Sequence, residues 1–211
     1  LETMSKILRN IRNSFFLIAI LCLGFSNLEA KNSKDVSNTE VKKKTISHKK
    51  KYSLNLVNSK DGHPVRSGKK SYRFEVRLGD CGKDSGHDDC KKDRQRTELQ
   101  FKKHQMGKKD HWYSASIYLP NDYQSVAPVR TTFAQLYEKG WKPILMVTDR
   151  NGEWLEVGRM WSGEYVEMKK AIKINDMRGK WTDVLINARY SREENGFMKV
   201  WINNKLVLNS E

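Results

Sequence analysis

The chain has little proline, four residues in 211, and only three cysteines. No C-x-x-C pair occurs among those cysteines, which argues against the zinc spacings that use one. Apolar residues are nowhere sustained at i, i+3, i+4 and i+7, so helix is expected to be scarce. The most apolar run, Ser14 to Phe25, is about twelve residues long against the roughly twenty that a spanning helix needs. A carboxylate pair suited to glycoside hydrolysis is also lacking. Glu153 and Glu156 are the close acids on a strand-like stretch, and their odd spacing puts them on opposite faces. Acid is short overall, with 25 Asp and Glu against 40 Lys and Arg, a net charge of +15. A field of that size draws polyanions by steering and counterion release. Nucleic acid, anionic membrane and acidic glycan all satisfy it.

What is present at the start reads as an export signal. Lys6, Arg9 and Arg12 precede the apolar run, and Leu28-Glu29-Ala30 ends on a small residue suited to cleavage. Residues 1–30 are therefore expected to be a signal peptide, with no stable membrane span once it is removed and a secreted or periplasmic destination. Residues 31–51 are Lys- and Ser-rich without hydrophobic period and read as a flexible basic leader. If Cys22 leaves with the signal, Cys81 and Cys90 remain, an even pair that reads as a disulfide closing a small loop. Asp80, Asp84, Asp88 and Asp89 crowd that loop and stand open as calcium ligands or as plain solubilising acids.

From Tyr52 onward the pattern is short and two-periodic. Ser71 to Arg77 alternates Tyr72, Phe74 and Val76 against Arg73, Glu75 and Arg77. Gln95 to Phe101 places Thr97, Leu99 and Phe101 on one face and Arg96, Glu98 and Gln100 on the other. Runs at 111–119, 132–137, 181–190 and 197–202 continue the alternation. Asn203-Asn204-Lys205 signals a tight hairpin between Val200 and Leu208. Many short strands with turn chemistry between them predict an all-β sandwich over residues 52–211. Asn209-Ser210-Glu211 closes no element, so further strands are expected beyond it.

The polar faces around Arg96 and Arg73 are expected to share a concave sheet, where guanidinium groups suit carboxylate or sulfate. The bland alternative is a set of cross-strand ion pairs. Trp112, Trp181 and Trp201 lie inside strand runs and are expected in the core. Trp141 and Trp161, near turns, are the better candidates for stacking on sugar rings. His104 and His111 are the remaining histidines within the domain body.

D-R-Q-R-T-E-L-Q (Asp93 to Gln100) resembles the R-[ST]-E-L strand of the jelly-roll polysaccharide lyases, the alginate-lyase-like and heparin-lyase-I-like groups. R-F-E-V-R-x-G-D-C-G (Arg73 to Gly82), with Cys90 just before that strand, is similar to the heparin lyase I-like group in particular. F-A-Q-L-Y (Phe133 to Tyr137) sits where those enzymes carry a Q-[IV]-H strand. G-K-W-T-D (Gly179 to Asp183) and F-M-K-V-W-I-N-N-K (Phe197 to Lys205) resemble the back strands of concanavalin-like jelly rolls.

The resemblance implies a concanavalin-like jelly-roll β-sandwich that cleaves an acidic, uronate-containing polysaccharide by β-elimination. It makes Arg96 and Gln135 ligands of the sugar carboxylate, with Glu98 orienting Arg96, and needs no cofactor. Arg73, Arg77, Glu98, Gln100 and Trp141 would line the substrate. Two departures stand out. Tyr137 occupies the histidine position, and a phenol, with an ordinary pKa of about 10, needs a nearby arginine to act as base. The Y-x-K-x-G-x-Y strand that carries the usual catalytic tyrosine would lie beyond Glu211. A non-catalytic acidic-glycan-binding module of the same shape is the rival. A nucleic-acid partner is not expected, given the export signal and the lack of an aromatic-basic RNA motif. The protein is expected to be a monomer.

Overall fold

The computed structural model describes residues 50–84, 87–100, 109–137, 142–191 and 193–211, together with the backbone of Lys44–Ser47; the side chains of Asp84 and His87 are excepted. The expected signal, Cys22, His104 and Trp141 lie outside the described residues. The chain divides into two compact units, Leu1–Lys102 and Lys103–Glu211.

Short antiparallel pairs make up the first unit. Strand β1 (Lys44–Ser47) pairs with β6 (Thr97–Gln100), and β2 (Leu54–Asn58) pairs with β3 (Lys70–Phe74). Between β3 and β6 lies the loop of the Cys81–Cys90 disulfide, as expected, with two-residue strands β4 (Lys83–Asp84) and β5 (His87–Asp88) inside it. Lys44–Ser47 falls within the expected flexible leader, yet it is paired along its length. β-Branched Thr45 and Ile46 suit a strand, and the edge of β6 offers unpaired backbone groups to it.

The expected common sheet for the Arg73 and Arg96 runs does not form. β3 and β6 belong to separate two-stranded sheets. The runs touch where Thr97 Oγ1 donates to the Glu75 carbonyl at 3.4 Å. The apolar side of the 71–77 run is not buried either, since Phe74 is 49% exposed and Val76 43%. Alternation alone reports that a strand has two faces, not that either is covered.

Two four-stranded antiparallel sheets form the sandwich of the second unit. One has the order β11 (Glu164–Lys173), β10 (Trp154–Trp161), β9 (Pro143–Asp149), β8 (Thr131–Tyr137). The other has the order β14 (Lys205–Ser210), β13 (Phe197–Ile202), β12 (Trp181–Arg189), β7 (His111–Tyr118). Leu145, Val147, Leu155 and Val157 from the first sheet meet Val184, Ile186, Ala188, Val200 and Leu208 from the second in one buried core. The single helical turn Ile174–Met177 buries both its end residues in that core. Asn203 and Asn204 take left-handed backbone angles (φ 49° and 65°) between β13 and β14. A two-residue hairpin turn of matching twist requires that conformation, and asparagine tolerates it. The architecture is the expected jelly-roll-like β-sandwich.

Candidate functional site

In the first unit, sequence reasoning singled out Arg96, and the structure supplies the partner it missed. Arg96 grips Asp89 through a two-pronged pair, Nε to Oδ2 and Nη2 to Oδ1, both at 2.8 Å, while Nη1 lies 3.4 Å from Glu98 Oε2. The Asp89 side chain is 1% exposed and that of Arg96 19%. A carboxylate so deeply buried is tolerable only when paired. Burial opposes the charge on Arg96, but the hydrogen bonds and charges of Asp89 and Glu98 outweigh it and raise the pKa.

Asp89 is positioned by its backbone. Its N–H donates to the Gly82 carbonyl at 2.9 Å, and its carbonyl accepts from Lys92 and Arg94 N–H. Cys90 follows at once, so the disulfide holds the segment that orients Arg96. Glu98, expected to orient Arg96, makes a longer contact with its guanidinium than Asp89 does.

Arg73 and Arg77 both pair with Glu75, Arg77 Nε at 2.6 Å from its carboxylate. The hydrogen bond from Arg77 and the charges of both arginines hold the Glu75 carboxyl below its ordinary value. Arg77 also covers the Tyr52 ring, its guanidinium 3.8 Å from the centroid. Tyr52 Oη donates to Asp80 at 2.9 Å, and Asp80 accepts the Arg77 N–H at 2.7 Å. Asp80 and Asp89, two of the four loop acids, thus turn to separate protein partners. Gln100 ends β6, half-buried. No group of three or more potential metal ligands gathers among the described residues.

In the second unit, the structure brings Gln135 and Tyr137 together. Both stand on the same face of β8, and Tyr137 Oη donates to Gln135 Oε1 at 3.0 Å. Tyr137 is 43% exposed. Ala134 and Leu136, of opposite parity, pack on the core, so the amide and the phenol project from the outer face of this sheet.

Sequence reasoning missed what shares that face. Gln135 pairs in register with Met146, and Met146 with Gly158. Tyr165 packs against Gly158, where a Cβ would run into its ring. The Tyr165 hydroxyl reaches Met146 Sδ at 3.6 Å and accepts from Arg130 Nη1 at 3.0 Å, and the Arg150 guanidinium lies 5.2 Å from its ring centroid. A second phenol with two arginines therefore sits on the Gln135 side. Glu156, two residues before Gly158, is buried there, and its Oε2 meets no hydrogen-bond donor among the described residues. Gly158 was the available signal, because glycine inside a strand marks a close approach.

Two further expectations need correction. Trp112 is 61% exposed and Trp201 is partly exposed, so neither is a core residue. Met198, Val200 and Ile202 take the inner parity of β13, which turns Trp201 outward. Trp181, expected in the core as well, is half-buried and rests against Tyr118, centroids 5.3 Å apart. Trp161, near its turn, is 65% exposed. His111 packs beside Tyr190 and Tyr113, with centroids at 5.6 and 6.3 Å.

No curated protein and no solved structure matches the chain. A family model described as polysaccharide lyase matches residues 36–211, across both units and most of the chain. The chain belongs to the polysaccharide lyase family.

Proposed function

We propose that the protein is an exported lyase that cleaves a uronate-containing polysaccharide by β-elimination. The observation that carries this reading is the Gln135–Tyr137 pair on the exposed side of β8, with Tyr165, Arg130 and Arg150 on the same face. Elimination requires that the sugar carboxylate be neutralised, so that the C5 proton can leave. A base takes that proton, and the C5–H electron pair becomes the C4–C5 double bond. The C4–O bond breaks, and the departing glycosidic oxygen takes a proton from an acid. The amide of Gln135 and the guanidinium groups of Arg130 and Arg150 suit the carboxylate. Tyr137 suits the proton transfers, with Tyr165 as a second phenol at hand. In the first unit the resemblance gives Arg96 a carboxylate-binding task, with Asp89 as the residue that positions it. The disulfide is compatible with an extracellular or periplasmic setting.

The test is incubation with alginate, glucuronan and heparin while following the ultraviolet absorbance of the unsaturated uronate product. Product from one of them, reduced by Tyr137→Phe and Gln135→Ala, supports the reading; no product from any refutes it for those substrates. One feature favours a non-catalytic glycan-binding module instead, namely Tyr137 in place of a histidine. Binding without product in the same assay identifies that case.

A further inference from the structure

The outer face of the β7–β12–β13–β14 sheet carries Trp181 beside Tyr118 at one end of β12 and, near the other end, two further indoles that no step of elimination uses. Trp112 on β7 and Trp201 on β13 are separated by the whole of β12, with Asn187 facing Trp112 and Leu185 facing Trp201 in register. Their rings nevertheless meet over that strand, centroids 5.9 Å apart and planes 20° from parallel. Asn187 is accordingly buried on this outer face, its Nδ2 donating to the His111 carbonyl at 3.3 Å. Leu206, paired with Trp201, extends the apolar surface and is 46% exposed. Leaving so large an apolar side chain as Trp112 in water is costly unless something covers it.

We infer that Trp112 and Trp201 form a second glycan-binding site, a stacking platform for a pyranose ring of the polysaccharide, separate from the β8 face. Three observations select this occupant. The family acts on a polysaccharide, so a sugar polymer is what the protein meets. The exposed large apolar side chains of the patch are Trp112 and Leu206, far fewer than the roughly 20–30 residues a side of a stable protein interface. Two cations beside the patch are already engaged, Arg189 with Asp110 at 2.7 Å and Lys199 with Glu211 at 3.6 Å. A paired cation pulls only weakly on a carboxylate, whereas near-parallel indoles offer a flat apolar surface to the C–H face of a sugar. The choice of a uronate polymer rests on the proposed function; the platform itself does not.

Charge and stacking separate by salt. At about 1 M salt the screening length falls to about 3 Å, which removes the general attraction of a +15 chain for a polyanion. The full chain is applied in that salt to beads bearing alginate, glucuronan, heparin or an uncharged β-glucan. Wild type is expected to be retained on at least one, Trp112→Ala to bind about three- to tenfold more weakly, and Trp112→Phe to recover part of the loss. Trp112 is exposed, so its replacement leaves the core intact, and circular dichroism checks this. Release of wild type from every bead in salt, equal binding by Trp112→Ala, or a Trp112-dependent dimer in sedimentation would each overturn the platform. The binding assay needs no turnover. Trp112-dependent retention without unsaturated product sinks the lyase reading alone, and product with Trp112-independent retention sinks the platform alone.

Discussion

Asp89→Ala tests whether Arg96 is a buried, oriented group or one more surface cation. Both 2.8 Å contacts to the guanidinium come from the Asp89 carboxylate, and its side chain is 1% exposed. The main-chain bonds of Asp89 to Gly82, Lys92 and Arg94 survive the substitution, so the loss falls on the carboxylate alone. Removing one partner of a buried pair costs about 3–5 kcal/mol, while an exposed pair is worth about 0–1 kcal/mol. The two cases are therefore well separated. The choice of probe matters, because all six tryptophans lie beyond residue 111, in the second unit, and report nothing on the first. Hydrogen exchange by mass spectrometry on peptides covering residues 87–100 reads the right place. At a factor of ten per 1.4 kcal/mol, the opening constant there should rise by about two to three and a half powers of ten. If the single variant unfolds the unit outright, Asp89→Leu with Arg96→Leu supplies the second measurement. Replacing both charges by apolar groups is expected to recover much of the loss, since the guanidinium no longer lies stranded. A rise of less than about fivefold in Asp89→Ala would refute the buried-pair account. So would a double variant as unstable as the single ones combined.

Cys81→Ser with Cys90→Ser opens a short loop, of sequence separation 9, and should cost about 2–3 kcal/mol, read as faster exchange in the same peptides. Gly158→Ala drives a methyl group into the Tyr165 ring. It should destabilise the second unit by about 1–3 kcal/mol in urea and, if Tyr165 takes part in catalysis, lower kcat more than KM. The depressed Glu75 carboxyl implies stability that is present above about pH 4.5 and lost as pH falls through its lower folded value. Glu75→Gln should flatten that acid limb of a thermal-melting profile, and an unchanged limb would count against the ion pairs with Arg73 and Arg77. At the alkaline end, burial and the bond to Asp149 push Tyr123 up to about 12. Stability should therefore fall as pH rises from about 10 towards 12, and Tyr123→Phe should remove part of that slope.

The sandwich was legible because its strands alternate against one core, and the Asn203-Asn204 hairpin because its turn chemistry is specific. In the other sheet, β9 and β11 escaped and β10 was read as strand-like only around Glu153 and Glu156. Pro143–Asp149 is buried on both faces from Leu145 on and shows no alternation, while β10 carries Gly158 and Arg159 amid apolar residues. Missing β9, β11 and most of β10 meant missing their shared face, and with it Tyr165 and its two arginines. The Trp112 and Trp201 error has a related source. F-M-K-V-W-I is apolar on both parities, so periodicity cannot say which side is inward, and only the opposing sheet decides.

Asp89 shows a further limit of pattern. Among four acids in one small loop, composition cannot distinguish the two that are buried, Asp80 and Asp89, because burial follows from which carbonyls and N–H groups the loop closes on. The backbone bonds to Gly82, Lys92 and Arg94 make that choice for Asp89, and Arg96 is drawn in because a carboxylate without water must find a cation. The order of cause therefore runs from the disulfide loop to Asp89 and then to Arg96. It places the control of Arg96 in a loop whose acids stood open as calcium ligands or as solubilising groups. An assay that opens the disulfide should thus affect Arg96 before it affects anything in the second unit's core.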